Sequence, residues 1–157
     1  LKQTNHSHNL ADRYSGTWGH QAEDEFMSRY PKALRYGLDR PELNWGVQRL
    51  SLFERYTPDF IMSSPVLVEV QGFGKNGLRI KLEKLRALDR WNEVASPVWF
   101  WLYSSARHDE LWMPLDAAWE LIDRQLVAHE NYSDTTRGKA VIRIRPSDLP
   151  WGKYDAP

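Results

Sequence analysis

The segment that most constrains the fold is PVWFWLY, from Pro97 to Tyr103. A run that is apolar on consecutive positions has no polar face to offer water, so it suits a central strand buried on both sides. Such a strand needs cover above and below, and the flanking patterns supply helices for it. Thr17 to Tyr30 reads as a helix stopped by Pro31, and Leu78 to Val94 as a strongly amphipathic one. Leu115 to Val127 is a third, with Leu115, Ala118, Trp119, Ile122 and Leu126 on one stripe. Residues 31–47 read as a loop with a short turn of helix. Val47 to Phe53 is strand-like, Arg55 to Met62 continues it or starts a second strand, and Ser63-Ser64-Pro65 turns the chain into a strand from Val66 to Gln71. Gly72 and the segment from Gly74 to Gly77 read as a loop, and Lys139 to Arg145 alternates like an edge strand. The order is helix, three strands, helix, strand, helix, strand. It predicts an α/β fold with a mixed central sheet flanked by helices.

At 157 residues the chain is expected to form one domain over residues 17–145, with a polar lead over 1–16 and a Pro-rich tail over 146–157 in which Trp151 and Tyr154 dock. Lys+Arg and Asp+Glu both total 21, so net charge predicts no polyanionic partner, although a local basic patch remains open. The absence of cysteine excludes disulfides, a thiol nucleophile and a cysteine zinc site. No run is long enough to span a bilayer and no signal-like apolar segment opens the sequence, so the expected location is the cytoplasm. The first residue is Leu rather than Met, which points to a fragment or a processed chain.

Acidic residues inside strand-like sequence are costly unless something pairs with them. Asp59 stands at the start of one strand and Glu69 inside the next, with Gln71 two residues on. Aimed at one edge of a sheet, the two carboxylates are candidates for a metal site; otherwise Asp59 caps a Thr-Pro-Asp turn and Glu69 is solvated.

The pair Pro58-Asp59, followed after nine residues by Glu69-Val70-Gln71, on this order of elements, resembles the PD-(D/E)XK nuclease superfamily. The wording Tyr56-Thr57-Pro58-Asp59-Phe60 and Val68-Glu69-Val70-Gln71-Gly72 is similar to its phage junction-resolving endonuclease I branch, over roughly residues 17–103. The resemblance implies a restriction-endonuclease-like αβββαβ core and metal-dependent cleavage of DNA, duplex or branched. It implies Mg²⁺ or Mn²⁺ held by Asp59, Glu69, the Val70 carbonyl and a glutamate of the first helix. A homodimer and a phage or mobile-element origin follow by analogy. Phosphodiester hydrolysis needs a hard cation, an activated water and charge compensation, which these groups are suited to provide.

Helical phase selects the glutamate. At about 100° per residue from Ala22, Phe26, Tyr30 and Met27 span about 40–140°, and Glu23 falls at about 100°, inside that face. Asp24 and Glu25 fall outside it and suit a first-turn acid favoured by the helix dipole. His20 is a neighbour that could support Glu23. The departure from the family is Gln71, which stands where a lysine is usual; glutamine can hold a water but carries no charge. A lysine of the following helix can replace it. With Leu78 as origin, Lys81 falls within the apolar stripe and Lys84 on its edge, so Lys81 is slightly preferred; the alternative is that both reach to water. Lys75, Arg79, Arg86 and Arg90 are candidate phosphate contacts, with Lys139, Arg143 and Arg145 a second basic strip; the alternative is a solvated face. Trp99 and Trp101 are expected in the core. Trp18, Trp45 and Trp151 are less constrained, and no site is expected from His6 and His8.

Two further readings stand beside the structure-specific endonuclease. One is a nuclease-fold DNA-binding or assembly module that does not cut, which Gln71 favours. The other is a sequence-specific restriction or repair nicking enzyme.

Overall fold

The computed structural model describes residues 18–38, 49–132 and 139–157. The lead over 1–16, with His6 and His8, and Trp45 lie outside them. Helix α1 (Trp18–Arg29) is followed by a two-residue strand β1 (Leu34–Arg35), a single helical turn α2 (Leu52–Arg55), β2 (Phe60–Ile61) and β3 (Leu67–Phe73). Then come β4 (Leu78–Lys81), α3 (Leu82–Val94), β5 (Val98–Ser104), β6 (Asp109–Pro114), α4 (Leu115–Asp123), β7 (Val127–Tyr132) and β8 (Lys139–Ile144). The protein is mixed α/β, with a mixed central sheet and flanking helices.

The central sheet runs β1-β2-β3-β5-β6. Only β3 and β5 are parallel; the other pairings are antiparallel. The PVWFWLY segment is the β5 strand, with Phe100, Trp101 and Leu102 all fully buried. Its alternation divides the core. Phe100 and Leu102 pack with α3 and α4, while Trp101 and Tyr103 pack with Ala22 and Phe26 of α1. Trp151 and Tyr154 of the tail dock as expected, against Phe73 and Trp99.

Four parts of the sequence reading are corrected. Residues 52–55 form a helical turn and not a strand, because Ser51 and Glu54 make a reciprocal capping box. The strand preceding β2 is therefore Leu34–Arg35. Leu78–Lys81 is a strand and not the first turn of α3: Leu78 and Ile80 are buried while Arg79 is exposed, a period of two. Gly77, with φ +92°, lets this strand lie against β8, where a Cβ would run into the Ile144 carbonyl. Finally, β8 is the middle strand of a second sheet, β4-β8-β7, and not an edge. Its residues Ile142 and Ile144 are buried in the same core as α3 and α4. Among the described residues, no helix is long and apolar enough to cross a membrane.

Candidate active site

Glu69 is in the middle of β3 and only 2% exposed. Leu67 and Phe73 belong to the α3–α4 core, and Val68 and Val70 to the α1 core, so by alternation Glu69 and Gln71 face α3. There the Lys84 ammonium forms an ion pair with the Glu69 carboxylate. The favoured lysine, Lys81, instead ends β4 as the residue before α3, and the helical phase counted from Leu78 does not apply to it.

Asp59 immediately precedes β2. Phe60 is opposite Val68 and Ile61 opposite Leu67, and the same register continued by one residue sets Asp59 opposite Glu69, on the same face. In a non-hydrogen-bonded antiparallel pair the Cα atoms are about 4.5 Å apart. Two carboxylates so placed repel each other, and Lys84 offsets one of them. The Asp59 Oδ2 accepts the Val70 N–H at 2.8 Å. Its carbonyl accepts the N–H groups of Tyr36 at 2.9 Å and Gly37 at 3.1 Å. A Cβ on Gly37 would stand 2.8 Å from the Pro58 carbonyl oxygen and 3.1 Å from the Asp59 Cα, so glycine permits this close approach.

The Val70 carbonyl has a particular position. The Met62 N–H donates to the Val66 carbonyl at 3.1 Å, which marks that pair as hydrogen-bonded. Alternation makes the position of Pro58 and Val70 another such pair, so the Val70 N–H and C=O both point toward Pro58. Proline has no N–H to give. The Asp59 carboxylate takes the Val70 N–H, and the carbonyl faces a residue that cannot donate. Gln71 contributes a further acceptor. Its Nε2 donates to the Arg79 carbonyl at 2.5 Å, which leaves Oε1 as the other amide atom. That oxygen is buried without a hydrogen-bond partner.

The Asp59 and Glu69 carboxylates, the Val70 carbonyl and the Gln71 amide oxygen are the hard oxygen donors that this part of β2 and β3 could offer a cation. Their chemistry fits Mg²⁺ or Mn²⁺ better than softer metals. Among the described residues, no group of three or more His, Asp or Glu side chains is gathered to hold a metal ion, so the carboxylate share of this set is a pair. Glu23 is half-buried on α1, which packs on the other face of the sheet, and its carboxylate is engaged by Arg35 at 2.5 Å. Met27 is 37% exposed, so the buried stripe of α1 is narrower than its apolar residues suggest and centres on Ala22 and Phe26.

Of the basic candidates, Lys75 is exposed in the turn before β4, and Arg79 is exposed on β4. Arg86 and Arg90 lie one turn apart on the solvent side of α3, where Arg90 pairs with Glu93 at 3.1 Å. Three supporting features were not anticipated. Arg35 holds Glu23, Gly37 seats Asp59, and the buried Tyr56 hydroxyl donates to Glu83 at 2.5 Å, next to Lys84. The Tyr-Thr-Pro-Asp wording contained a signal for Tyr56, but nothing in the sequence marked Arg35 or Gly37 before β1 was known. Comparison with protein-family models, curated proteins and solved structures gave no significant match.

Proposed function

We propose that the protein is a metal-dependent DNA endonuclease of the restriction-endonuclease-like type. The reading is carried by Glu69, buried on β3 with Lys84 on its carboxylate, and by Asp59, which precedes β2 where the β2–β3 register, continued by one residue, falls opposite Glu69. The order α1-β1-α2-β2-β3-β4-α3-β5, with β1, β2, β3 and β5 in one sheet and β3 and β5 parallel, supports an αβββαβ core interrupted by α2 and by β4 of the second sheet. Asp59, Glu69 and the Val70 carbonyl would hold Mg²⁺ or Mn²⁺, which when bound supplies Lewis-acid activation of water and phosphate. Gln71 Oε1 would accept a hydrogen bond from the attacking water and orient it. Lys84 provides the positive charge that the motif position lacks. Glu23, held by Arg35, steadies the sheet edge from the opposite side. Lys75, Arg79, Arg86 and Arg90 contact phosphates of the DNA, and branched DNA is the preferred substrate. A homodimer and a cytoplasmic setting belong to the same proposal.

The test is cleavage of supercoiled plasmid and of a four-way junction in Mg²⁺, Mn²⁺ or EDTA, comparing wild type with Asp59→Ala. Metal-dependent cutting lost in Asp59→Ala is the expected result, with the junction cut faster. Absence of cutting with DNA binding intact would favour the second reading, a binding module with this fold. Gln71 at the motif lysine position is the observation on its side.

A further inference from the structure

Tyr36 directly follows β1, and its neighbours fix the side it faces. Arg35 points toward α1, where it pairs with Glu23 and its guanidinium lies 5.0 Å from the Phe60 ring centre. Successive residues of an extended chain face opposite ways, so Tyr36 faces α3. There its ring meets Trp91 edge-on, with centres 5.8 Å apart at 85°. Trp91 is itself held by a parallel stack on Phe53 at 4.1 Å, and its indole N–H donates to the Phe53 carbonyl at 3.0 Å. Glu69 is on this same side of the sheet, since its partner Lys84 lies on α3 about two turns before Trp91. The edge-on contact is not a parallel stack, and Tyr36 stays 44% exposed. Tyr36 is also next to Asp59. The β1–β2 register, Leu34 with Ile61 and Arg35 with Phe60, continued by one residue, brings Tyr36 to Asp59. The Tyr36 N–H donates to the Asp59 carbonyl at 2.9 Å and holds it there. Adjacent strands are about 4.8 Å apart, so the residue bearing the exposed ring is one strand spacing from Asp59.

We propose that Tyr36 is a stacking surface for an unpaired nucleobase flanking the phosphate engaged at Asp59 and Glu69. This rests on the nuclease reading above and names what the protein would recognise at a branch. Every base has a π-face, and an aromatic side chain takes it without reading its identity. Inside a continuous duplex a base is stacked between its neighbours, so only one freed at a branch or flap lies on Tyr36 without the cost of unstacking. Recognition is then of DNA structure and not of sequence. The stack of Trp91 on Phe53 fixes the support of the Tyr36 ring beforehand, which lowers the ordering cost of binding.

The experiment is fluorescence anisotropy, in EDTA, of a labelled duplex carrying a short single-stranded flap and of the same DNA with abasic sites in place of the unpaired bases. The two carry the same phosphates, so the ratio of their affinities isolates the bases. Wild type should prefer the intact flap by about tenfold, the usual effect of one stacked base. Tyr36→Leu keeps an apolar side chain against Trp91 but has no π-face, and it should bring the ratio near one. Tyr36→Phe keeps the π-face and should retain the ratio. A ratio near one in wild type, or one that survives in Tyr36→Leu, would overturn the stacking surface while flap binding itself left the nucleic-acid reading in place. Loss of the ratio in Tyr36→Phe would assign the effect to the hydroxyl and likewise overturn it. No binding by wild type to either flap DNA or to a plain duplex would overturn the nucleic-acid reading and the stacking surface together.

Discussion

Replacing Lys84 by methionine tests the pairing on which the candidate site depends. The Glu69 side chain is 3% exposed and that of Lys84 16%, so the substitution removes the Lys84 charge from a carboxylate in the core. Breaking a buried pair by removing one partner costs about 3–5 kcal/mol, whereas replacing both partners with uncharged groups is often neutral. The partial exposure of Lys84 places the expected loss at the low end, about 3 kcal/mol. Glu69→Gln/Lys84→Met should recover most of it, with a coupling energy of about 2 kcal/mol, within the range for residues in contact. Urea denaturation with a shared m-value measures all four corners of the cycle. A divalent cation adds a further arm. If the oxygen set binds Mn²⁺, the ion replaces the missing ammonium in Lys84→Met, and at a hundredfold excess over its dissociation constant it adds about 2.7 kcal/mol. Wild type should gain less, because Lys84 competes for the same carboxylate. A Lys84→Met protein within about 1 kcal/mol of wild type, the usual reach of a surface pair, would refute the buried pairing. A normal loss with no Mn²⁺ gain would keep the ion pair and remove the metal.

Gly37→Ala should cost about 1–3 kcal/mol through overpacking against Pro58 and Asp59 and should raise the metal concentration needed for cleavage; thermal melts and a metal titration of the cleavage rate check it. Asp89→Asn should stabilise the protein at neutral pH. Burial raises the Asp89 carboxyl above its ordinary value, only partly offset by the hydrogen bond from Trp119, and the nearby charges of Glu93 and Asp116 raise it further. A carboxyl raised in the folded state binds more protons folded than unfolded, so wild-type stability falls as pH climbs from the ordinary value of 3.8 through the raised one. The gain in Asp89→Asn should therefore be present at pH 7 and vanish below that window, which urea titrations at several pH values will follow. Ser51→Ala removes the capping box of α2 and should cost about 1 kcal/mol; cleavage should be unchanged, and a slower rate would show that α2 is coupled to the site.

The sequence identified β3 and β5 well because each carries a long pattern with one reading; the helix read over Leu115 to Val127 begins where expected but ends at Asp123, and Val127 opens β7 instead. Short elements were the ones misread. Leu78-Arg79-Ile80-Lys81 has only two buried positions, and the strong stripe of Leu82, Leu85 and Leu88 absorbed it into the helix. Ser51-Leu52-Phe53-Glu54 held a capping-box spacing that the apolar residues around it masked. β6 went unread because its turn has no glycine; His108 takes the left-handed conformation there, at φ 52°. In the candidate site, Asp59 and Glu69 were legible because a hairpin relates them over ten residues. Their lysine was not, since choosing between Lys81 and Lys84 required knowing where the strand stops and the helix begins. Arg35 and Gly37 were further out of reach, because they meet Glu23 and Asp59 only through a two-residue strand.

Pairing β4 with β8 has a consequence for when the site can exist. Ile80 and Ile142 are partners about sixty residues apart in the chain. Contacts of that separation close late, after local hairpins and helices have formed. The carboxylate hairpin of β2 and β3 can assemble as soon as it is synthesised, but the strand that carries Arg79 and anchors Gln71 remains unpaired until β8 arrives. A ribosome-bound chain that had reached only α4 would hold Asp59 opposite Glu69 without the neighbouring sheet. Under the proposed endonuclease activity, completion of the fold by a late strand would act as a safeguard: the proposed metal ligands would be made early, and the neighbouring sheet would come last.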